Sequence, residues 1–181
     1  GHDVYNTAVA ALALSEATLL HPKNPEYREA ATRSITFFVR SQNVKGGWTY
    51  SSRPSTGAER SARSDTSISG WVVLALTMAR YAEIEIPERN FERMENLFDE
   101  MSDHETGELL YADASPHVNR RGIGLVGVGL ACRRILNPIR FKELDGRAVD
   151  LLVQDPPEWN ALRRTSRGSS DPNLTTTYGW Y

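Results

Sequence analysis

Apolar positions along this chain fall into two alternating kinds of stretch. The first kind is apolar on nearly all sides and rich in small residues: Ala8, Ala10, Ala11 and Ala13, then Gly70, Val72 and Ala75, then Gly124, Gly127 and Gly129. A helix of that composition is expected to be buried on most sides. The second kind has a helical period. Tyr27, Ala31, Ile35 and Phe38 share a face, with Arg28, Glu29, Arg33 and Arg40 between them, and Phe91, Met94, Leu97, Phe98 and Met101 repeat the arrangement. Pro25 and Pro87 stand near the starts of these amphipathic stretches, where a missing N–H costs nothing. The pattern predicts six helices, near 4–20, 26–42, 66–82, 88–102, 122–136 and 141–154. No strand-period pattern of useful length is present.

The two kinds of stretch recur together. "DVYNTAVAALALSEA" (3–17) aligns with "DTSISGWVVLALTMA" (65–79) at an offset of 62, placing Asp3 on Asp65, Thr7 on Ser69 and Pro25 on Pro87. "GLVGVGLACRRIL" (124–136) aligns with "GWVVLALTMARYA" (70–82) at an offset of 54. The repeats run over about 3–50, 65–111 and 119–159, and "TTTYGWY" begins a fourth at 175. Such self-similarity is the signature of a helical repeat array. Alternating buried and amphipathic helices imply two layers: an all-α toroid or partial barrel of about three hairpins, with inner helices inside outer ones. A simple α-solenoid is the alternative, but its paired helices are usually more alike in burial.

Composition narrows the reading only a little. The chain has 181 residues, 40% of them hydrophobic, and a net charge of −2, which suits one domain over 1–181 with no global pull toward nucleic acid or a membrane. No apolar run approaches the ~20 residues of a membrane span. The start without methionine and the aromatic end read as cut, so the chain is expected to be a segment of a longer toroid. Cys132 is the single cysteine and the four histidines are scattered, so neither a disulfide nor a metal site is expected. Nothing sets the compartment.

After the second helix comes "QNVKGGWTY" (42–50). Gln42, the Gly46-Gly47 turn and Trp48 resemble the QW motif of squalene-hopene cyclases and related triterpene cyclases. "SDTSISGWVVLAL" resembles the inner helix of the same α/α-toroid superfamily, which includes protein prenyltransferase β subunits, and "VYNTAVAALALSEA", "GLVGVGLACRRIL" and "TTYGWY" resemble bacterial prenyltransferase or squalene-oxidase repeat proteins of unassigned activity. The resemblance covers most of the chain outside the loops. The second copy, "HETGELLY", keeps Gly107 and Tyr111 but lacks the Gln and Trp. Read physically, Gln42 bonds backbone groups at neighbouring helix ends, Gly46 and Gly47 permit the tight turn, and Trp48 stacks against the next hairpin. That is a structural staple rather than a reaction centre.

Asp65 is the one candidate catalytic residue. The resemblance places it on the last Asp of the cyclase DxDD acid motif, but the other two positions fall on Ser64 and Ala62, which carry no carboxyl group. The competing reading is an N-cap, since Asp accepts from N–H groups two or three residues on and suits the positive helix end. Asp3 at the equivalent position favours the cap. Zinc chemistry of the prenyltransferase type lacks its ligands here, and Cys132 in an apolar helix reads as a structural thiol.

Charge adds a candidate binding surface. The loops 51–64, 112–121 and 160–174 share one end of the array and sum to +5, against −2 for loops 20–26, 82–90 and 137–145. A basic rim including Arg120 and Arg121, above a hollow lined by Tyr5, Trp71, Tyr178 and Trp180, would suit an isoprenoid, a lipid or an anionic glycan. The bland alternative is solvated connectors. No recognised nucleic-acid module accompanies the arginines, so nucleic acid is not an expected partner. Three functions follow as expectations: a non-catalytic binding domain for a hydrophobic or anionic ligand, part of an isoprenoid-processing enzyme (triterpene cyclase or prenyltransferase) whose catalytic residues lie outside this chain, or an interaction scaffold for a protein partner. No cofactor is expected.

Overall fold

Local chemistry accounts for where the helices begin. Asn24 accepts from the Glu26 N–H at 3.0 Å and Pro25 takes the first helical position of its helix. In the same way Asp65 accepts from the N–H groups of Ser67 and Ile68. In this computed structural model residues 3–50, 63–112 and 123–154 are described, and within them lie six helices and no extended strand. They are α1 (Asp3–Leu20), α2 (Pro25–Ser41), α3 (Thr66–Tyr81), α4 (Glu88–Glu100), α5 (Ile123–Leu136) and α6 (Lys142–Gln154).

The odd-numbered helices form a row, with α3 between α1 and α5. The even-numbered helices pack back on it: α2 on α1 and α3, α4 on α5, and α6 on α5. The amphipathic stripe of α4 is buried through Phe91, Met94, Leu97 and Phe98, with Met101 beyond its end. In α2 the stripe buries Ala31, Ile35 and Phe38, while Tyr27 stays exposed. Each large apolar side chain removed from water contributes about 1.5–3 kcal/mol before entropy is charged against it. Arg80 ties the end of α3 to α4, its guanidinium stacked 3.7 Å from the Phe91 ring centroid and paired with Glu88.

The expectation of three helices buried nearly all round holds only for α3. Between Thr66 and Ala79 no residue of α3 is exposed. In α1, by contrast, Val9, Ala10, Ala13 and Glu16 are exposed, and in α5 Ala131, Arg134 and Ile135 are. The reason is position in the row. Helix α3 has a neighbour on each side, whereas α1 and α5 each have one among the described residues. No helix among the described residues is long and apolar enough to cross a membrane.

Candidate functional site at the start of α3

The first turn of α3 lies where two loops converge. The Asp65 N–H donates to the Trp48 carbonyl at 2.8 Å, and the Ser69 hydroxyl accepts from the Trp48 N–H at 3.1 Å. On the other side the Thr66 N–H donates to the Tyr111 carbonyl at 3.0 Å, and the Thr66 hydroxyl donates to the Leu110 carbonyl at 2.9 Å. The hydroxyls of Tyr50 and Tyr111 meet at 3.2 Å. The loops closing the first and second hairpins thus flank one helix start.

Asp65 itself is fully buried. Its Oδ1 accepts three bonds, from the Ser67 N–H at 3.0 Å, the Ser67 hydroxyl at 2.6 Å and the Ile68 N–H at 3.2 Å. Its Oδ2 is buried with no hydrogen-bond partner among the described residues. One carboxylate oxygen is therefore occupied by capping and the other is uncommitted. Ser64 is buried beside it and accepts from the Asn43 amide at 3.0 Å. No carboxyl group stands at 64, so a proton held between neighbouring acids has no second partner at that position. Asp3 opens α1, and its side chain lies outside the described residues.

The Gln42–Trp48 loop joins the first two hairpins. Gln42 donates from Nε2 to the Gly46 carbonyl at 2.9 Å and to the Asn90 carbonyl at 3.1 Å, and its Oε1 accepts from Asn90 at 2.7 Å. Gly46 has φ 95°, and a Cβ there would lie 2.1 Å from the Arg93 carbonyl oxygen. Both the conformation and the approach of α4 demand glycine. At Gly47 a Cβ would lie 2.5 Å from the Ser64 hydroxyl. The placement of Trp48 differs from the expected stacking on the next hairpin. Its indole packs back on its own hairpin, edge-on to Phe38 with centroids 6.2 Å apart, and donates from Nε1 to the Phe38 carbonyl at 3.2 Å. Its backbone bonds the start of α3 through Asp65 and Ser69. The indole N–H is satisfied this way within its own hairpin, since the Phe38 carbonyl near the end of α2 accepts it as well as the Gln42 N–H at 3.1 Å.

The second joint is built differently, and sequence reading missed it. Gly107 has φ 79°, and a Cβ there would lie 2.6 Å from the Ala148 nitrogen of α6. Its carbonyl accepts from Arg133 Nη2 at 3.3 Å. Arg133 is fully buried, donating from Nε to Asp145 Oδ1 at 2.9 Å and from Nη1 to the Ser102 hydroxyl at 2.8 Å. The available cue was an arginine pair at the end of an otherwise apolar helix, with Asp145 one hairpin arm away. Asn90, buried in the first turn of α4, was likewise unremarked.

Of the proposed ligand-lining residues, Tyr5 and Trp71 come together across the α1–α3 contact, edge-on with centroids 5.8 Å apart and both partly buried. Arg120, Arg121, Tyr178 and Trp180 lie outside the described residues, as does nearly all of the basic rim. Burial pushes the Cys132 thiol up to about 12, so it stays protonated and unreactive at neutral pH. Among the described residues no group of three or more His, Cys, Asp or Glu side chains is placed to hold a metal ion. Comparisons with known protein families, with curated proteins and with solved structures find no match to this chain.

Proposed function

We propose that the chain is a segment of an α/α toroid of the cyclase and prenyltransferase-repeat type, serving as a non-catalytic binding domain for a hydrophobic or anionic ligand. The observation that carries the reading is the use of Asp65. Three donors converge on its Oδ1 to start α3, and the adjacent position that would hold the proton-donating acid in a cyclase is Ser64. The single row formed by α1, α3 and α5, with α2, α4 and α6 behind it, supports a toroidal arrangement with that row innermost. Tyr5 and Trp71 then supply aromatic surface for an isoprenoid or lipid tail.

One observation favours a second reading. The buried, unpartnered Oδ2 of Asp65 is available to a donor group, as expected if the chain contributes to an isoprenoid-processing enzyme. Native mass spectrometry with lipid extraction separates the readings. A co-purified isoprenoid or lipid recovered chemically unchanged supports binding, and a processed product bound in its place supports the enzyme. Protein that carries no lipid, and to which neither prenyl diphosphate nor acidic glycan adds mass, contradicts the binding reading.

A further inference from the structure

Helix α3 is sealed along most of its length but keeps one open face. Between Thr66 and Ala79 the partly exposed residues are Ser67, Trp71, Leu74, Thr77 and Met78, whose helical spacing puts them along one side. The Tyr5 ring of α1 reaches this side, edge-on to Trp71 at 5.8 Å. In the repeat alignment Leu74 corresponds to Leu12 of α1 and Val128 of α5, all three partly buried. Met78 corresponds to Glu16 of α1 and Cys132 of α5. A carboxylate thus stands on α1 where the other two row helices carry an apolar side chain.

Glu16 is placed against the local electrostatics. It lies about one turn before the end of α1 at Leu20, where the last carbonyls make a negative helix end that favours cations. Helices α3 and α5 carry arginine in their last turns, Arg80 in one and Arg133 with Arg134 in the other. Helix α1 has no basic residue in its last turn, and Thr18 stands at the position of Arg80. Glu16 is exposed, with neither an ion pair nor a hydrogen bond among the described residues. One turn to either side of it stand the partly buried Leu12 and the exposed Leu19. Negative potential and apolar surface therefore adjoin at one place.

We propose that the open face of the row takes a cationic amphiphile, a long aliphatic chain bearing a protonated amine. The chain lies across Leu12, Trp71, Leu74 and Val128, and the ammonium group sits beside Glu16 at the end of α1. The proposal rests on the row being the ligand-bearing side of a binding domain, and it narrows the ligand to one sign of charge. An ammonium group is attracted both by Glu16 and by the carbonyl end of α1, whereas a carboxylate or phosphate is repelled by both. Chain length follows from the helices: neighbouring axes stand about 8–10 Å apart, so only a long chain reaches from Leu12 to Val128.

Isothermal titration calorimetry of the 181-residue chain with dodecylammonium, dodecanoate and dodecyl maltoside tests this, at neutral pH, low salt and below each micelle concentration. Dodecylammonium is expected to bind about fivefold more tightly than the other two. Glu16→Gln is expected to remove that preference and Glu16→Lys to transfer it to dodecanoate, with helical circular dichroism kept. Glu92→Gln, which removes an exposed acid of α4, is expected to leave it unchanged. Should a Glu16 variant lose its helical signal, Glu16→Ala takes its place. Equal binding of the three head groups, a preference for dodecanoate, or a cation preference that survives Glu16→Gln or vanishes in Glu92→Gln overturns the proposal and leaves chain binding at the row standing. Binding of none of the three overturns it together with the hydrophobic-ligand reading.

Discussion

Arg133 of α5 reaches back to the carbonyl of Gly107, in the loop that closes the preceding hairpin. Gln42 meets the equivalent carbonyl of Gly46, but from the C-cap of the helix before the loop. The same need, a donor for a glycine carbonyl wedged against the second helix of the following hairpin, is met by two residues on different elements. This explains how the second hairpin dispenses with the Gln and Trp of the first.

Breaking the Arg133–Asp145 pair is expected to be costly. Arg133→Met leaves Asp145 buried with only the exposed Arg134 at 3.3 Å, and a loss of about 3–5 kcal/mol is expected in urea unfolding. The double variant Arg133→Met, Asp145→Leu is expected to recover a substantial part of that loss, since no buried charge remains.

Three glycines are expected to respond differently to alanine. Gly46→Ala and Gly107→Ala force a side chain onto positive φ and into the backbone of α4 and α6 respectively, so each is expected to lower stability by more than about 1 kcal/mol. Gly127 is helical with open space above it, so Gly127→Ala is expected to stabilise by up to about 1 kcal/mol. Thermal unfolding of the three variants side by side checks the order.

Cys132 gives a pH-dependent signature. Its folded value of about 12 lies above the ordinary 9.0, so the contribution is fully present below pH 9.0 and is lost as pH rises through the folded value. Alkaline unfolding is expected to be delayed in Cys132→Ala relative to any general loss of packing. A thiol reagent at neutral pH is expected to label the native chain far more slowly than the urea-unfolded chain.

Much of this architecture is legible from residue order alone, and the physical reasons differ by feature. Helix limits lie within two residues of the expected ones because the apolar period and Pro25, Asp65 and Pro87 mark them locally. The stapling of Gln42 to Asn90 is half legible: the glutamine stands in a motif, but its partner is 48 residues away. Exposure of α1 and α5 was not legible, since composition says that a helix can be buried and only its neighbours say whether it is. The Arg133–Asp145 pair was hidden for a related reason: two charges read as solvated until the fold closes over both. Tyr5 and Trp71 do meet, while the arginines of the rim lie outside the described residues.

The account turns on Asp65 as a helix cap rather than an acid, and Asp65→Asn tests it most directly. Asn caps as well as Asp, so the variant is expected to melt close to the parent and to retain ligand, while Asp65→Ala is expected to lose about 1 kcal/mol. Melting of both variants should be measured beside product analysis with a polyene and with a prenyl diphosphate. No turnover by the parent, with the stability order just given, is the predicted result. A parent that converts either substrate, and an Asp65→Asn variant that melts normally but has lost that conversion, would contradict it.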